Sequence, residues 1–265
     1  MRLNSLEFGD FVMLRFKTSV WSAGVFALVI LVSFEAQAQT GEEIMQEVNA
    51  VMGHFPSAVA EVDLTTGKDN RKRKRVLRLV SKQGDGRRQL IATFREPAAV
   101  RGVGFSTELD VASNQRQSWV YLPSLGGVRE LKGSQQHESF FGSDFSYSDL
   151  MGRDAEQDTH ELVSQDDDFY DITSTPKSKK DAYSKLDYKI AKADNTIREI
   201  TFYDRKGAAL KRLTNIDFEN VDGVPVLLKS EMKNLKSGSV TLLDRTSIQV
   251  AVELFDYDFG PEALQ

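Results

Sequence analysis

The feature that most constrains the fold of this chain is an alternation of apolar and polar residues with a period of two. Ala60, Val62 and Leu64 alternate with Glu61 and Asp63. The same alternation recurs in three later segments, Leu90–Phe94, Lys185–Ile190 and Val240–Leu254. Because successive side chains of a β-strand point to opposite faces, the pattern predicts strands with one buried and one exposed face.

The last of these segments predicts the positions of individual side chains. One parity is apolar and contains Val240, Leu242, Ile248, Val250, Val252 and Leu254. The other parity is polar and contains Arg245, Ser247, Gln249 and Glu253. A regular strand over this segment would therefore turn Arg245 away from the apolar face of the sheet.

Runs of this kind, separated by turn signals such as Gly84-Asp85-Gly86 and Asp222-Gly223, number about eleven between Val59 and Leu254. Their short spacing is typical of antiparallel sheets, and no repeat or long linker divides the series. An α-helix is expected over Gly41–His54, where apolar residues recur at helical spacing. The sequence therefore predicts a mainly β, single-domain protein with one N-terminal helix.

An antiparallel sheet with one apolar face needs a cover for that face. About eleven strands form a wider curve than the roughly eight that side chains alone can fill. Only Gly41–His54 and a short segment near Asp144–Met151 are available as covering helices. Two outcomes stay open: a hydrophobic pocket suited to an acyl chain, or a flattened sheet packed fully by those helices.

Residues 1–38 have the character of a secretory signal peptide. Basic residues precede an apolar run from Val20 to Phe34, and small residues lead up to Ala38. The run is shorter than the roughly 20 apolar residues of a transmembrane helix, although an uncleaved anchor is the alternative. We expect cleavage after Ala38, with Met13 as an alternative start, and a periplasmic domain comprising residues 39–265.

Composition excludes several classes of protein. The 265 residues include no cysteine, which excludes disulfide scaffolds, thiolate zinc sites, cysteine nucleophiles and a lipid-modified N-terminal cysteine. The formal net charge of −5 gives no electrostatic reason to expect nucleic acid as a partner. With 40% hydrophobic residues, the chain is also too apolar for a disordered protein.

No motif indicates catalysis or a bound metal or cofactor. The sequence lacks an H-E-x-x-H zinc motif and a G-x-S-x-G nucleophile elbow. The glycines of Arg101–Phe105 lack the strand-to-helix context of a dinucleotide loop. A Ser–His–Asp set assembled from distant positions is the enzymatic alternative. We expect no catalytic, cofactor-binding or metal-binding residues.

The run of five basic residues over Arg71–Arg75 has two interpretations. It could dock anionic lipid head groups or an acidic partner surface. Alternatively, it is a solvated flank of a hairpin, since Leu77 and Leu79 begin a strand directly afterwards.

The segment Ser139–Met151 is the most unusual part of the chain. It holds four closely spaced aromatic residues beside Gly142, and Ser146 and Asp149 have the spacing of a helix N-terminal cap pair. We predict a loop leading into a short helix that ends near Gly152, forming either a lid over the cavity or an aromatic plug in the core. With the apolar strand Trp119–Leu122, this segment supplies the predicted ligand-binding residues Trp119, Tyr121, Phe140, Phe141, Phe145, Tyr147 and Leu150.

These segments carry a resemblance to a known family. The motifs occur in the order F-x-x-P (Phe94–Pro97), R-G-x-x-F (Arg101–Phe105), W-V-Y-L-P (Trp119–Pro123) and S-F-F-G-S-D-F-S-Y-S-D-L (Ser139–Leu150). This order resembles the outer-membrane lipoprotein-sorting proteins related to LolA and LolB, over most of the chain after residue 38. The resemblance implies a half-open antiparallel β-barrel lidded by helices. It also implies a periplasmic carrier that shields acyl chains of lipoproteins or lipids and transfers them toward the outer membrane.

The resemblance also suggests partners. Members of this subgroup often accompany exporters of the resistance-nodulation-division type, which implies an inner-membrane exporter and an outer-membrane acceptor. An accessory adaptor of such an exporter is the alternative function. LolB is anchored through a lipid-modified cysteine that this chain lacks, so the chain resembles the soluble carrier, and we expect a monomer. Neither Arg101 nor Arg129 lies in a motif that matches the carrier's lid arginine.

Overall fold

Thirteen strands form one antiparallel sheet in the computed structural model, which describes residues 39–68, 71–255 and 258–264. The strands are β1 (Ser57–Lys68), β2 (Arg71–Gly84), β3 (Arg87–Glu96), β4 (Gly104–Asp110), β5 (Gln115–Leu122), β6 (Gly127–Glu130), β7 (Asp158–Gln165), β8 (Phe169–Pro176), β9 (Tyr183–Ala191), β10 (Thr196–Asp204), β11 (Ala209–Val221), β12 (Val224–Asn234) and β13 (Val240–Val250). The predicted count of about eleven is two short. Strands as short as the four residues of β6 are too brief to display an alternation.

The strand order divides the sheet into two meanders. Strands β1 to β6 run in sequence toward one edge, and β7 to β13 run in sequence inward from the other edge. The two meanders meet where β1 pairs with β13. Strands β6 and β7 are the edges, so the sheet does not close and the predicted half-open antiparallel barrel is confirmed. The connection between them, residues 131–157, contacts both halves of the sheet.

The predicted N-terminal helix is present as α1 (Gly41–Met52). It begins with a capping box in which the Thr40 backbone N donates to Glu43 Oε2 at 2.8 Å and Glu43 N donates to Thr40 Oγ1 at 3.2 Å. Ile44 and Val48 are buried on the concave side of the sheet. The helix ends two residues before the predicted boundary at His54.

The concave face of the sheet carries the main hydrophobic core. The alternation predicted in β1, β3 and β9 is confirmed there, because the same-parity residues Ala60, Val62, Leu64, Leu90, Ala92, Phe94, Leu186, Tyr188 and Ile190 are buried. Their polar neighbours on the same strands point to the opposite face. This core borders the candidate functional site, which lies on the same face of the sheet.

The convex face carries a second, smaller core beneath the C-terminal segment 258–264. Phe259 and Leu264 pack there against Val80 and Ile91. A Cβ atom at Gly104 would lie 2.7 Å from the Leu264 side chain, so a larger residue there would force that side chain to shift. Part of the convex face is therefore buried. A strand pattern with one apolar and one polar face does not predict this second core.

A β-bulge corrects the prediction for the last strand. Glu61 of β1 pairs with Ser247, but the next residue, Val62, pairs with Arg245, which leaves Thr246 as an extra residue in β13. The bulge reverses the parity, so Thr241, Leu243 and Arg245 share the concave face with Ile248 and Val250. Arg245 therefore lies on the face opposite to the predicted one.

The basic run lies at the start of β2, where Arg71 to Lys74 are exposed. Lys74 Nζ lies 2.7 Å from Asp63 Oδ2 on the adjacent strand, an ion pair too exposed to add much stability. Among the described residues, no helix has both the length and the apolar composition needed to cross a bilayer. The signal peptide predicted over residues 1–38 lies outside the described residues and stays a prediction.

Candidate functional site

A cavity of about 600 Å³ opens on the concave face of the sheet. Its walls come from α1, from the long strands of both meanders and from the connection between β6 and β7. Apolar side chains predominate, among them Met45, Val48, Leu90, Ile200, Phe202 and Leu243. The volume lies within the range of small-molecule sites in proteins. The pocket that the sequence left open as one of two outcomes is present.

The segment Ser139–Met151, here named the lid segment, begins as a tight hairpin-like loop. Phe140 N donates to Phe145 O at 2.8 Å, and Ser143 N donates to Phe140 O at 3.0 Å. Gly142 has φ +79° at the tip, a conformation that strains other residues. The predicted short helix follows as a 3-10 turn over Tyr147–Met151, just before Gly152.

Two carboxylates attach the lid segment to the sheet, the first being Asp144. Its Oδ1 accepts from Ser239 Oγ at 2.5 Å, and its Oδ2 accepts from Thr241 Oγ1 at 2.8 Å. The Asp144 backbone N in turn donates to Thr241 Oγ1 at 2.9 Å. These contacts fix the loop end of the lid segment beside β13.

Asp149 is the second attachment. It accepts from the Ser146 backbone N at 2.6 Å, as the cap spacing predicted, and from the Tyr183 hydroxyl of β9 at 2.8 Å. Lys211 of β11 forms a buried ion pair with it. Burial by itself would raise the pKa of Asp149, but the Lys211 ammonium and these hydrogen bonds outweigh burial and hold the pKa below its usual range. The carboxylate is therefore charged when the protein is folded near neutral pH.

Five aromatic rings form a cluster beside the cavity, here named the aromatic cluster: Phe94, Phe105, Phe140, Phe141 and Tyr147. Phe140 is almost completely buried, and its ring centroid lies 5.0 to 5.8 Å from those of its four neighbours. Such separations are typical of favourable aromatic pairs. The cluster joins the lid segment to β3 and β4.

Polar side chains line another part of the cavity wall. Arg153 forms ion pairs with Asp158 at 2.5 Å and with Asp181 at 3.0 Å. Arg116 Nη1 donates to Ser148 O at 2.8 Å, and burial lowers its pKa to about 10. These guanidinium groups are satisfied by the protein itself, so they stabilise the wall of the cavity.

Known proteins share this architecture. A domain described as an outer membrane lipoprotein-sorting protein from Vibrio parahaemolyticus is 26% identical, with a TM-score of 0.80 over 84% of this chain and 97% of that chain. A DUF1329 family protein from Desulfovibrio piger is 24% identical, with a TM-score of 0.80 over 85% and 98%. A LolA superfamily protein from Nitrosomonas europaea is 22% identical, with a TM-score of 0.68 over 85% and 100%.

By sequence, a family model with the description "Uncharacterized protein" matches residues 86–265, which include the whole lid segment. The chain belongs to the family of this model, and its architecture is that of the LolA-like outer-membrane lipoprotein-sorting proteins. No curated protein matches the sequence.

In this LolA-like fold the seven predicted ligand-binding residues fall into three groups. Phe145 and Leu150 line the cavity. Phe140, Phe141 and Tyr147 belong to the aromatic cluster, which has the plug-like packing of the alternative interpretation. Trp119 and Tyr121 pack on the convex face beside the C-terminal segment. The end of β5 is apolar on both faces because each face packs against a hydrophobic core. Trp119 and Tyr121 lie on the convex face, so their side chains do not reach the cavity.

The described residues of the LolA-like domain include two Ser–His pairs. His160 Nδ1 lies 2.7 Å from Ser174 Oγ, and its Nε2 lies 2.7 Å from the Ala155 carbonyl oxygen, all buried. His137 Nδ1 lies 3.2 Å from Ser148 Oγ at the cavity wall. Within the described ranges, no carboxylate bonds to either ring to complete a triad. The same ranges hold no cluster of three or more His, Asp or Glu side chains that could bind a metal.

Most residues that line the cavity were not among the predicted ligand-binding residues, and one of them, Arg245, was predicted to lie on the opposite face. It lines the cavity between Leu243 and Ile248 on the concave face of β13. The pattern alone could not reveal it, because the bulge at Thr246 leaves no distinctive residue signal.

Proposed function

We propose that this protein is a carrier that holds acyl chains of a lipoprotein or another lipid in its cavity and transfers them toward the outer membrane. The observation that carries the proposal is the apolar cavity beneath the anchored lid segment. Burying an acyl chain there would remove apolar surface from water, at roughly 25 cal/mol per Å². The fold adds support, because it is shared with a protein described as an outer membrane lipoprotein-sorting protein.

The proposed setting is the periplasm. Residues 1–38 would direct secretion and be removed after Ala38. The remaining domain, residues 39–265, would act as a freely diffusing monomer, since the sequence has no cysteine that could carry a lipid anchor. An inner-membrane exporter and an outer-membrane acceptor are the partners we propose for loading and release.

The carrier role needs no chemical step. Transfer by a carrier depends on the difference in affinity between donor, cavity and acceptor, and no covalent bond is made or broken. We therefore propose a protein without catalytic residues or cofactor. The satisfied His160–Ser174 pair agrees with a structural role for the better placed of the two Ser–His pairs.

Cavity blocking tests the proposal. Ile248 lines the cavity on β13, and a tryptophan in its place would fill part of the volume. We expect the wild-type protein, isolated without detergent, to carry lipid detectable by native mass spectrometry, and Ile248→Trp to carry at least several-fold less. Leu125→Trp is the matched control, because Leu125 is 55% exposed on a turn away from the cavity.

Equal lipid content in Ile248→Trp and Leu125→Trp would contradict the proposal. An adaptor role predicts a different result, in which Ile248→Trp captures an exporter complex as efficiently as the wild type while binding no lipid. The two variants thus separate a carrier from an accessory adaptor of an exporter.

A further inference from the structure

Arg245 lies at an unusual position for a charged residue. Its strand neighbours on the concave face are Leu243 and Ile248, and the residue directly opposite on β1 is Val62, which is fully buried. Side chains opposite each other on paired strands share a face, so the guanidinium emerges from an apolar strip of the cavity wall. The bulge at Thr246 creates this position, and bulges commonly re-aim side chains near functional sites.

Among the described residues, the Arg245 guanidinium also has no ion-pair partner. Its Nη1 atom is buried and has no hydrogen-bond partner among the described residues. Burial lowers the pKa of Arg245 to about 10, with no carboxylate among the described residues offsetting that effect. The group is still protonated at neutral pH, so a full positive charge faces the cavity.

Other arginines of the sheet show what sets Arg245 apart. Arg75 and Arg88 also have a buried Nη1 atom without a hydrogen bond. Arg75 belongs to the largely exposed basic run, and the Nη1 atom of Arg88 lies 3.5 Å from Asp154 Oδ2. Arg153, on the cavity wall, is paired with two carboxylates. Arg245 has no such partner in the part of the chain that the structure describes, and its side chain lines the cavity.

An unpaired buried charge destabilises a folded protein, and groups of this kind call for a functional explanation. We propose that Arg245 binds the anionic group of an amphiphilic ligand, a carboxylate or a phosphate, whose acyl chain lies along the apolar walls. This assignment rests on the proposed carrier function and narrows its cargo to lipids with a negative charge. A guanidinium suits both anions because its planar donors can form two parallel hydrogen bonds to either.

Three ligands of twelve carbon atoms each test the assignment: dodecanoate, dodecyl phosphate and dodecanol, each kept below its aggregation concentration. A charge-assisted hydrogen bond contributes about 1.5–3 kcal/mol, so we expect the wild type to bind the preferred anion about tenfold to a hundredfold more tightly than dodecanol by titration calorimetry. The anion with the larger preference identifies the head group as a carboxylate or a phosphate.

Variants of Arg245 assign that preference to the residue. In Arg245→Met we expect the anions to bind with nearly the same affinity as dodecanol, while the affinity for dodecanol stays at the wild-type value. Arg245→Lys keeps the charge but loses the bidentate geometry, so it should retain part of the preference. Arg129→Met is the matched control, since it removes an exposed arginine of β6, and it should leave the preference unchanged.

The outcomes separate the two proposals. If dodecanol and the anions bind the wild type equally, or if Arg245→Met keeps the full preference, the role of Arg245 is wrong and the carrier function stands. If none of the three ligands binds the wild type, the carrier function fails, and the role of Arg245 fails with it.

Discussion

Two regions of the concave face are built in opposite ways. The packed region consists of the aromatic cluster and the two carboxylate attachments of the lid segment, where rings touch and each carboxylate is hydrogen-bonded. The hollow region surrounds Leu213, Phe218, Arg245 and Ile248, whose side chains border empty volume. The packed region satisfies its polar groups within the protein, and the hollow region leaves Arg245 Nη1 without a hydrogen-bond partner in the described part of the chain.

This difference separates what the fold needs from what a ligand needs. Protein interiors are normally close-packed, and their buried polar groups are normally paired. The packed region follows both rules and joins the two meanders through the lid segment. The hollow region breaks both rules, because it encloses empty volume and leaves Arg245 Nη1 and Asn215 Oδ1 without hydrogen-bond partners among the described residues. Both departures are expected of a site whose packing and pairing are completed by a ligand. The two regions should therefore respond differently to substitution.

The largest effect is expected from Asp149→Ala in the packed region. The change leaves Lys211 buried without its counter-charge and removes the partner of the Tyr183 hydroxyl. Breaking one side of a buried ion pair typically costs 3–5 kcal/mol, so we expect the free energy of unfolding to fall by about 4 kcal/mol in urea titrations.

Asp244→Ala is the control for that loss. Lys229 Nζ lies 2.9 Å from Asp244 Oδ2, and both side chains are about one-third exposed, so the change should cost less than about 1 kcal/mol. Equal losses in the two variants would show that the lid attachment contributes no more than a surface pair.

Deleting a phenyl ring from each region compares them directly. Phe140→Ala removes the centre of the aromatic cluster and should cost about 3 kcal/mol. Phe218→Ala removes a ring that borders the cavity and packs beneath the Arg198 guanidinium at 4.5 Å, and it should cost about 1 kcal/mol. Chemical denaturation of both variants measures the difference, and similar costs would mean that the hollow region is as well packed as the other.

The packed region was predictable from the sequence only where its determinants are local, and the attachments of Asp144 and Asp149 to distant strands were not predicted. Ser146 and Asp149 are three residues apart and form the expected cap interaction. The alternation in β1, β3 and β9 identified the concave face, because these strands are regular over their alternating residues. Three of the five rings of the aromatic cluster, Phe140, Phe141 and Tyr147, lie in the lid segment, which allowed a plug to be weighed against a lid.

The hollow region was not predictable, because its determinants are distant or hidden in the backbone. One extra residue in β13 moved Arg245 to the concave face, and nothing in the alternation records a bulge. Trp119 and Tyr121 were expected in the cavity because their strand is apolar on both faces. The face on which they lie is covered by the segment around Phe259 and Leu264, which is far from β5 in the sequence.

Acid should weaken the packed region through Asp149. Its pKa is lower in the folded protein than the ordinary value of 3.8, so at intermediate pH the unfolded chain binds more protons than the folded one. The stabilisation is complete above the unfolded pKa and is lost as pH falls through the folded pKa. The difference in unfolding free energy between wild type and Asp149→Asn should therefore stay constant well above pH 3.8 and narrow as pH falls below that value. A difference that stays constant in urea titrations as pH falls below 3.8 would contradict the pKa assignment.

The smallest effect, and the one opposite in sign, is expected in the hollow region. Arg245→Met replaces an unpaired charge on an apolar strip with a side chain of similar length, so the ligand-free protein should gain about 1 kcal/mol of stability. Thermal unfolding after lipid extraction measures the gain, and Arg129→Met, which removes an exposed charge, should change stability by less than about 0.5 kcal/mol. A loss of stability in Arg245→Met would mean that the guanidinium stabilises the fold. The two regions would then not differ in how their charged groups contribute to stability. A gain combined with a lost preference for anionic ligands would mean that stability is sacrificed at this position for binding.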